Sequence, residues 1–339
     1  MIGTKLVKGQ GLGNQLFCFI SAKCIAAKRN EEFGLLGAEL FPNQGEEKLG
    51  LYFMEMDLGK AVTEDDFTHV YEEKETRLFL GNSIHDITHG CYVSAADEEM
   101  EQVLSNTLLQ GNMQAAAYLQ GYKEEIKQWL QVKPAYDSYE YYKENLCVLN
   151  FRGGEYTGSV ALYLRKKYWL DAMKNMKKIC SDMEFMIVTD DVEAANKMLP
   201  EIPAYHFTLD KDYVTVKNGK YLILSNSSFA FFPAYTSETA VKIIAPKYWA
   251  RHNVSDGYWS SEQNIYDEFV YQDRKGKLFS AVECRAELET YKNTKKTYKV
   301  AQNRATGIKA ICQKIKIKYI IYSDLACRIP SAIKRRMKL

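Results

Sequence analysis

A chain of 339 residues is long enough for two domains of ordinary size, and its 45 Lys and Arg against 43 Asp and Glu leave a formal charge of only +2. That balance, with 24 tyrosines, excludes a disordered chain and fits a folded protein with hydroxyl-rich clefts. Eight cysteines stand singly, without C-x-x-C or a Cys/His cluster, so neither a zinc site nor a disulfide framework is expected.

A reducing cytosol is the expected setting. No apolar run approaches a membrane span, and the first residues lack the basic-then-apolar order of a signal peptide, so export is not expected.

In chain order, Lys5 to Arg29 read as strand, glycine turn and amphipathic helix, the turn being Gly9-Gln10-Gly11-Leu12-Gly13-Asn14-Gln15. Gly11 and Gly13 permit a tight turn, and the first turn of the helix points free N–H groups at whatever lies above it. The dinucleotide fingerprint would need a glycine where Asn14 stands, which argues against NAD. The amides Asn14 and Gln15 can donate to and accept from hydroxyls, a chemistry suited to sugars. An ordinary connection with Asn14 as N-cap is the alternative.

Residues 31–106 are poorly periodic, with acidic clusters such as Glu64-Asp65-Asp66. From Leu108 a strand end and loop lead into a helical stretch, Ala115 to Gln131, and Pro134 marks a break. Thereafter strand and helix alternate. Strands are expected at Leu146–Phe151, Glu184–Val188, Tyr221–Leu224 and Val241–Ile244, and helices at Lys167–Cys180, Val192–Met198 and Ser228–Ala234. The alternation predicts α/β architecture with a parallel sheet, whose ligands bind beyond the carboxyl ends of the strands.

Three successive strand ends carry coherent chemistry. Asn150-Phe151-Arg152-Gly153-Gly154-Glu155-Tyr156 sets a guanidinium beside bare glycine N–H groups, a candidate pyrophosphate anchor. Thr189-Asp190-Asp191 offers carboxylates for a guanine edge or a ribose, with helix capping as the other use of Asp191. Ser225-Asn226-Ser227-Ser228-Phe229 opens a helix whose N-terminus favours a phosphate.

The last residues differ from the rest: from Lys292 onward fourteen Lys and Arg face one acid, Asp324, so the tail is basic and the body acidic. Ile308, Ile311, Ile315, Tyr319 and Tyr322 recur at helical spacing between lysines, the pattern of a helix lying on an anionic membrane surface. A solvated terminal helix and nucleic-acid binding are the alternatives; no nucleic-acid module is recognisable.

Together these motifs resemble the bacterial α-1,2-fucosyltransferase family (glycosyltransferase family 11), with more distant likeness to protein O-fucosyltransferases and α-1,6-fucosyltransferases. The family's G-G-L-G-N-Q-M-F is similar to Gly9-Gln10-Gly11-Leu12-Gly13-Asn14-Gln15-Leu16-Phe17, and its H-x-R-R-G-D-Y falls without gaps on Asn150 to Tyr156. Its S-D-D looks like Thr189-Asp190-Asp191, its A-N-S-S-F-S-W-W like Ser225 to Phe232, and its I-A-P-K-x-W matches Ile244 to Trp249.

The resemblance implies a GT-B-like fold of two facing Rossmann-like domains, 1–140 on the acceptor side and 141–285 binding the donor, followed by a basic tail, 286–339. It implies inverting transfer of a sugar from a GDP-sugar to an acceptor glycan hydroxyl, without a metal or other cofactor. Carried over by position, Arg152 holds the β-phosphate, Asp191 the guanine, Ser227 and Ser228 the diphosphate, and Asn14 faces the reacting sugar. Asn150, Gly153, Gly154, Tyr156, Asp190, Asn226 and Phe229 fall in the donor-binding motifs, and Glu155 is the candidate base, with Asp190 the alternative. The tail then points to a lipid-linked acceptor at the inner membrane face, as in surface polysaccharide synthesis of the O-antigen type.

Asn150 replaces the family's histidine, Gly153 its second arginine and Glu155 its aspartate, which leaves the donor sugar open: fucose or another deoxysugar. Asp210-Lys211-Asp212 reads as D-x-D, the mark of a metal-dependent transferase and the first rival. A non-catalytic nucleotide- or glycan-binding protein is the second. No G-x-S-x-G elbow supports a hydrolase. His69, His85, His89 and His252 are expected in surface or local structure.

Overall fold

The computed structural model of the chain describes residues 1–44, 49–74, 77–79, 91–93, 96–253, 265–294 and 299–300, together with helical positions 308, 311, 312, 315, 318, 319 and 322. His85 and His89 lie outside the described residues.

The N-terminal half is built on a parallel sheet of β1 (Ile2–Lys5), β2 (Phe33–Leu36), β4 (His69–Glu72) and β7 (Thr107–Gln110), in the order β2-β1-β7-β4. The reversal of direction falls between β1 and β7. Helix α1 (Leu12–Lys28) follows β1 and has buried residues on all sides, as expected of a helix between a sheet and another layer. Two short pieces, β3 (Met54–Glu55) and β8 (Gln131–Val132), pair antiparallel, and β5 (Arg77–Phe79) lies between β6 (Cys91–Val93) and β16 (Lys299–Val300).

The second half has one sheet, ordered β11-β10-β9-β12-β13-β14-β15. Its strands are β9 (Leu146–Phe151), β10 (Glu184–Thr189), β11 (Ala204–Tyr205), β12 (Tyr221–Leu224), β13 (Lys242–Pro246), β14 (Val270–Gln272) and β15 (Leu278–Phe279). Counted from β9, the first six follow the doubly wound order 3-2-1-4-5-6 and are all parallel; β15 alone runs antiparallel. β9 is buried at every position because helices cover both faces of the sheet. Its switch point lies between β9 and β12, the two strands whose ends carry Arg152 and the Ser225–Ser228 run.

Helices α2 (Ala116–Leu119) and α3 (Lys123–Trp129) replace the single helix expected over Ala115 to Gln131, because Gly121, at φ +87°, breaks the chain between them. Helices α4 (Lys166–Lys177), α5 (Val192–Met198), α6 (Leu209–Lys217) and α7 (Ser228–Tyr235) follow the strands of the second sheet, and α8 (Ala281–Thr294) spans the expected start of the tail, with Cys284 and Leu288 in the core.

The halves meet through α1 and α7. Phe17 of α1 stacks on Phe231 of α7 with centroids 4.8 Å apart and tilts against Phe232 at the same distance, while Tyr266 packs on Phe231 at 4.3 Å. Polar links add to this: Tyr52 Oη donates to Asp210 at 2.6 Å, and Lys123 pairs with Glu268 at 2.9 Å. The architecture is therefore two Rossmann-like α/β halves with their switch points turned toward one another, as the motifs imply.

Candidate functional site

At the end of β9 the chain turns through Arg152, whose Nη1 lies 3.0 Å from Asp190 Oδ2 and whose Nη2 lies 3.2 Å from Glu155 Oε1. The guanidinium also sits 5.4 Å from the centroid of the Tyr156 ring, a cation–π contact that fixes its plane. Among the described residues Arg152 Nε is buried without a hydrogen-bond partner, and so is Asn226 Oδ1 on the neighbouring strand end. Arg152 lines a strand-end cavity, and an orphaned polar atom there is what a site looks like before its ligand supplies the missing bond.

That cavity, of about 130 Å³, runs from Arg152 and Asn150 past Ser227 and Phe229 to His206, Leu209 and Asp212. Ser227 caps α7, its Oγ accepting from Phe229 N at 3.3 Å, so the helix N-terminus and its dipole face the same space as Arg152.

The strand-end residues, Asn150 and Asp190 of the lining among them, also bind one another. Asn150 is buried and accepts from Ser225 Oγ at 2.9 Å. The glycine N–H groups expected to stay bare are engaged: Gly153 N donates to Asp190 Oδ1 at 2.9 Å and Gly154 N to Asp191 Oδ2 at 3.0 Å. Asp191 is the N-cap of α5, its Oδ1 accepting from Ala194 N at 2.9 Å. Oδ2 thus laces the β9 and β10 loops together while Oδ1 caps α5, a different placement from a carboxylate turned toward a guanine. Gly153 is required by that lacing, since a Cβ there would meet Asp191 Cβ at 2.5 Å. Glu155 is exposed and tied to Arg152, and it is not among the cavity-lining residues.

The glycine turn in the N-terminal half serves packing first. Helix α1 starts at Leu12 with Gly11 as N-cap, so Asn14 is inside the first turn. Gly13 abuts the backbone of Ser228 and Phe229, where any Cβ would collide. The two helix N-termini therefore converge, and Asn14 is carried to the switch points of both sheets. Its Oδ1 accepts from Gln114 Nε2 at 2.8 Å. Gln15, by contrast, is buried in the N-terminal half and donates to Leu40 O at 3.1 Å.

Asp210 and Asp212 turn to different partners. Asp210 accepts from Tyr52; Asp212 Oδ1 accepts from Phe207 N at 2.9 Å, and its Oδ2 lies 3.0 Å from His206 Nδ1. The D-x-D spacing is thus divided between an interface contact and the cavity wall. Burial pushes the Asp212 carboxyl above its usual range, and the Phe207 N–H and His206 oppose that rise. His206 was not singled out by sequence. It follows β11, a two-residue strand too short to be read, and only the carboxylate six residues on hinted at it.

The chain is similar to a glycosyltransferase. An alpha-1,2-colitosyltransferase of Escherichia coli is 23% identical over 270 residues, covering 70% of this chain and 89% of the relative. The likeness to sugar transferases of this linkage drawn from the motifs thus finds a counterpart in this relative. No family profile matches the chain. Among solved structures, POFUT1 in complex with GDP-fucose aligns with a TM-score of 0.45 at 9% identity, covering 72% of this chain and 96% of that one. The NodZ alpha-1,6-fucosyltransferase soaked with GDP-fucose aligns at 0.39 and 11%, covering 72% and 94%.

Proposed function

We propose that the chain is an inverting glycosyltransferase that moves a deoxysugar, fucose or a relative such as colitose, from a GDP-sugar to a hydroxyl of an acceptor glycan. The α-1,2 linkage to a galactoside is the reading nearest the motifs. One observation carries the proposal: Arg152, with its buried Nε free of a partner among the described residues, and the N-terminus of α7 flank one switch point, where a diphosphate would meet both. Departure of the diphosphate from an oxocarbenium-like centre concentrates negative charge on its oxygens, and Arg152 with the α7 N–H groups would stabilise that charge. The donor then displaces Asp190 and Glu155 from the guanidinium. Asn14, at the N-terminal switch point, is the group we assign to the sugar side, and Glu155, once released, is our candidate base. No divalent ion is needed in this scheme.

We also assign the acceptor to a lipid-linked saccharide at the inner membrane face, of the kind extended in O-antigen synthesis. Support comes from the basic segment 292–339 and from Ile308, Ile311, Ile315, Tyr319 and Tyr322, which are all exposed.

Calorimetric titration with GDP, UDP and NAD, first without metal and then with magnesium, tests the donor. The expected result is metal-free binding of GDP, weakened at least about tenfold by Arg152→Ala, a loss of about 1.4 kcal/mol or more. Preference for UDP or NAD, or GDP binding indifferent to Arg152→Ala, would remove the reading.

A further inference from the structure

The loop 111–114, which leaves β7 for α2, is fastened from several sides. Cys18 Sγ donates to Gly111 O at 3.3 Å, Met113 N donates to Glu73 Oε2 at 2.8 Å, and Ser21 Oγ donates to Met113 O at 2.6 Å. Met113 itself is buried at φ +45°, in the left-handed region that a side chain enters at a cost, and such strain persists only where the surroundings hold it. From the second half, Tyr266 Oη donates to Gln114 O at 3.4 Å, so the aromatic cluster between the halves also fixes the loop.

What this loop holds in place is the Gln114 carboxamide. Its Nε2 donates to Asn14 Oδ1 at 2.8 Å, a bond between residues 100 positions apart. Helix α1 has no use for that bond as a cap, because Gly11 is its N-cap. An amide presents an acceptor oxygen on one branch and a donor NH2 on the other. With Oδ1 taken by Gln114, Nδ2 is turned away from the loop, and among the described residues it has no hydrogen-bond partner. Asn14 is half-buried beside Gly13, which abuts the backbone of Ser228 and Phe229, so this NH2 group is held where the two switch points meet.

We infer that Gln114 is the positioning residue of Asn14, locking its amide so that Nδ2 donates to an oxygen of the transferred sugar, a hydroxyl or the ring oxygen. The inference rests on the donor reading above, in which Asn14 takes the sugar side, and adds the residue that decides which end of its amide the sugar meets.

Calorimetry with GDP, GDP-fucose and GDP-colitose separates the sugar from the rest of the donor. Gln114→Ala should weaken whichever sugar nucleotide the wild type binds by about tenfold and leave GDP unchanged, because GDP lacks the group that Asn14 meets. The double variant with Asn14→Ala should lose no more than Asn14→Ala alone. Wild-type protein that binds neither sugar nucleotide would remove the donor reading itself. Equal losses for GDP and sugar nucleotide, no loss for either, or additive losses in the double variant would overturn the inference alone.

Gln114→Glu decides the direction of the bond. A carboxylate of the same shape can only accept, so Asn14 has to turn its NH2 toward it and its oxygen toward the sugar. Affinity for the sugar nucleotide should fall as in Gln114→Ala while GDP binding stays, and in protein labelled with ¹⁵N-asparagine the Asn14 NH2 protons should move downfield. Wild-type affinity in this variant, or NH2 signals that do not move, would overturn the positioning role.

Discussion

His252 shows what burial does to one titratable group. Its ring is enclosed by Tyr168, at 5.1 Å between centroids, and by Tyr248, and its Nδ1 is buried without a partner among the described residues. Burial first, and then the nearby Arg274 and Arg165, push its pKa from 6.5 down to about 3. The group is therefore neutral in the folded chain at pH values where the unfolded chain binds a proton. Stability is full above the unfolded value and is lost as the pH falls from about 6.5 toward 3, by at most about 1.4 kcal/mol per pH unit. Unfolding by urea at pH 7 and pH 5 should show wild type losing about 2 kcal/mol more than His252→Gln over that interval. Equal losses would mean that the imidazole is hydrated in the folded state. The sequence placed His252 in surface or local structure, and it is buried in the core.

Single elements were legible where their chemistry is local. β9 is a six-residue apolar run because it is covered on both faces, and its limits, Leu146 and Phe151, could be read directly; so could α5, whose cap Asp191 opens an amphipathic run. β11 could not, since two residues carry no period, and with it went His206. Nor could the meaning of Gly13, which follows from a helix more than two hundred residues further on. A glycine in a βα turn reads as a phosphate cradle, but here it lets α1 reach the backbone of α7. The contact is continued by Phe17, Phe231, Phe232 and Tyr266, so the two halves share one aromatic cluster. Coupled in this way, they should unfold together. Phe231→Ala removes the ring at the centre of the cluster and should cost about 3–5 kcal/mol, splitting a single denaturant transition into two. A single transition at an unchanged midpoint would show that the cluster does not couple the halves.

For the whole molecule the question is how the basic segment relates to the body. It does not begin as a free tail. α8 carries Cys284 and Leu288 into the core, Lys247 is buried against Glu287 of the same helix, and β16 pairs with β5 of the N-terminal half. Removing everything from Lys292 onward would therefore also remove an edge strand, and a loss of lipid binding in that variant could come from damage to the fold. Truncation after Gln302 keeps β16 and removes Ile308, Ile311, Ile315, Tyr319 and Tyr322, whose side chains are 59–79% exposed. Apolar groups at this spacing, interleaved with lysines, gain from burial at an interface and from the negative potential of anionic lipid, about 1 kcal/mol for each basic residue near the surface. Wild-type protein should sediment with vesicles containing anionic phospholipid and be released by salt. The chain truncated after Gln302 should stay in the supernatant while still binding GDP as tightly as the full chain. Sedimentation of the truncated chain at the wild-type level would place the lipid contact elsewhere on the body, and full-length protein that ignores anionic vesicles would leave the exposed stripe to a partner other than lipid.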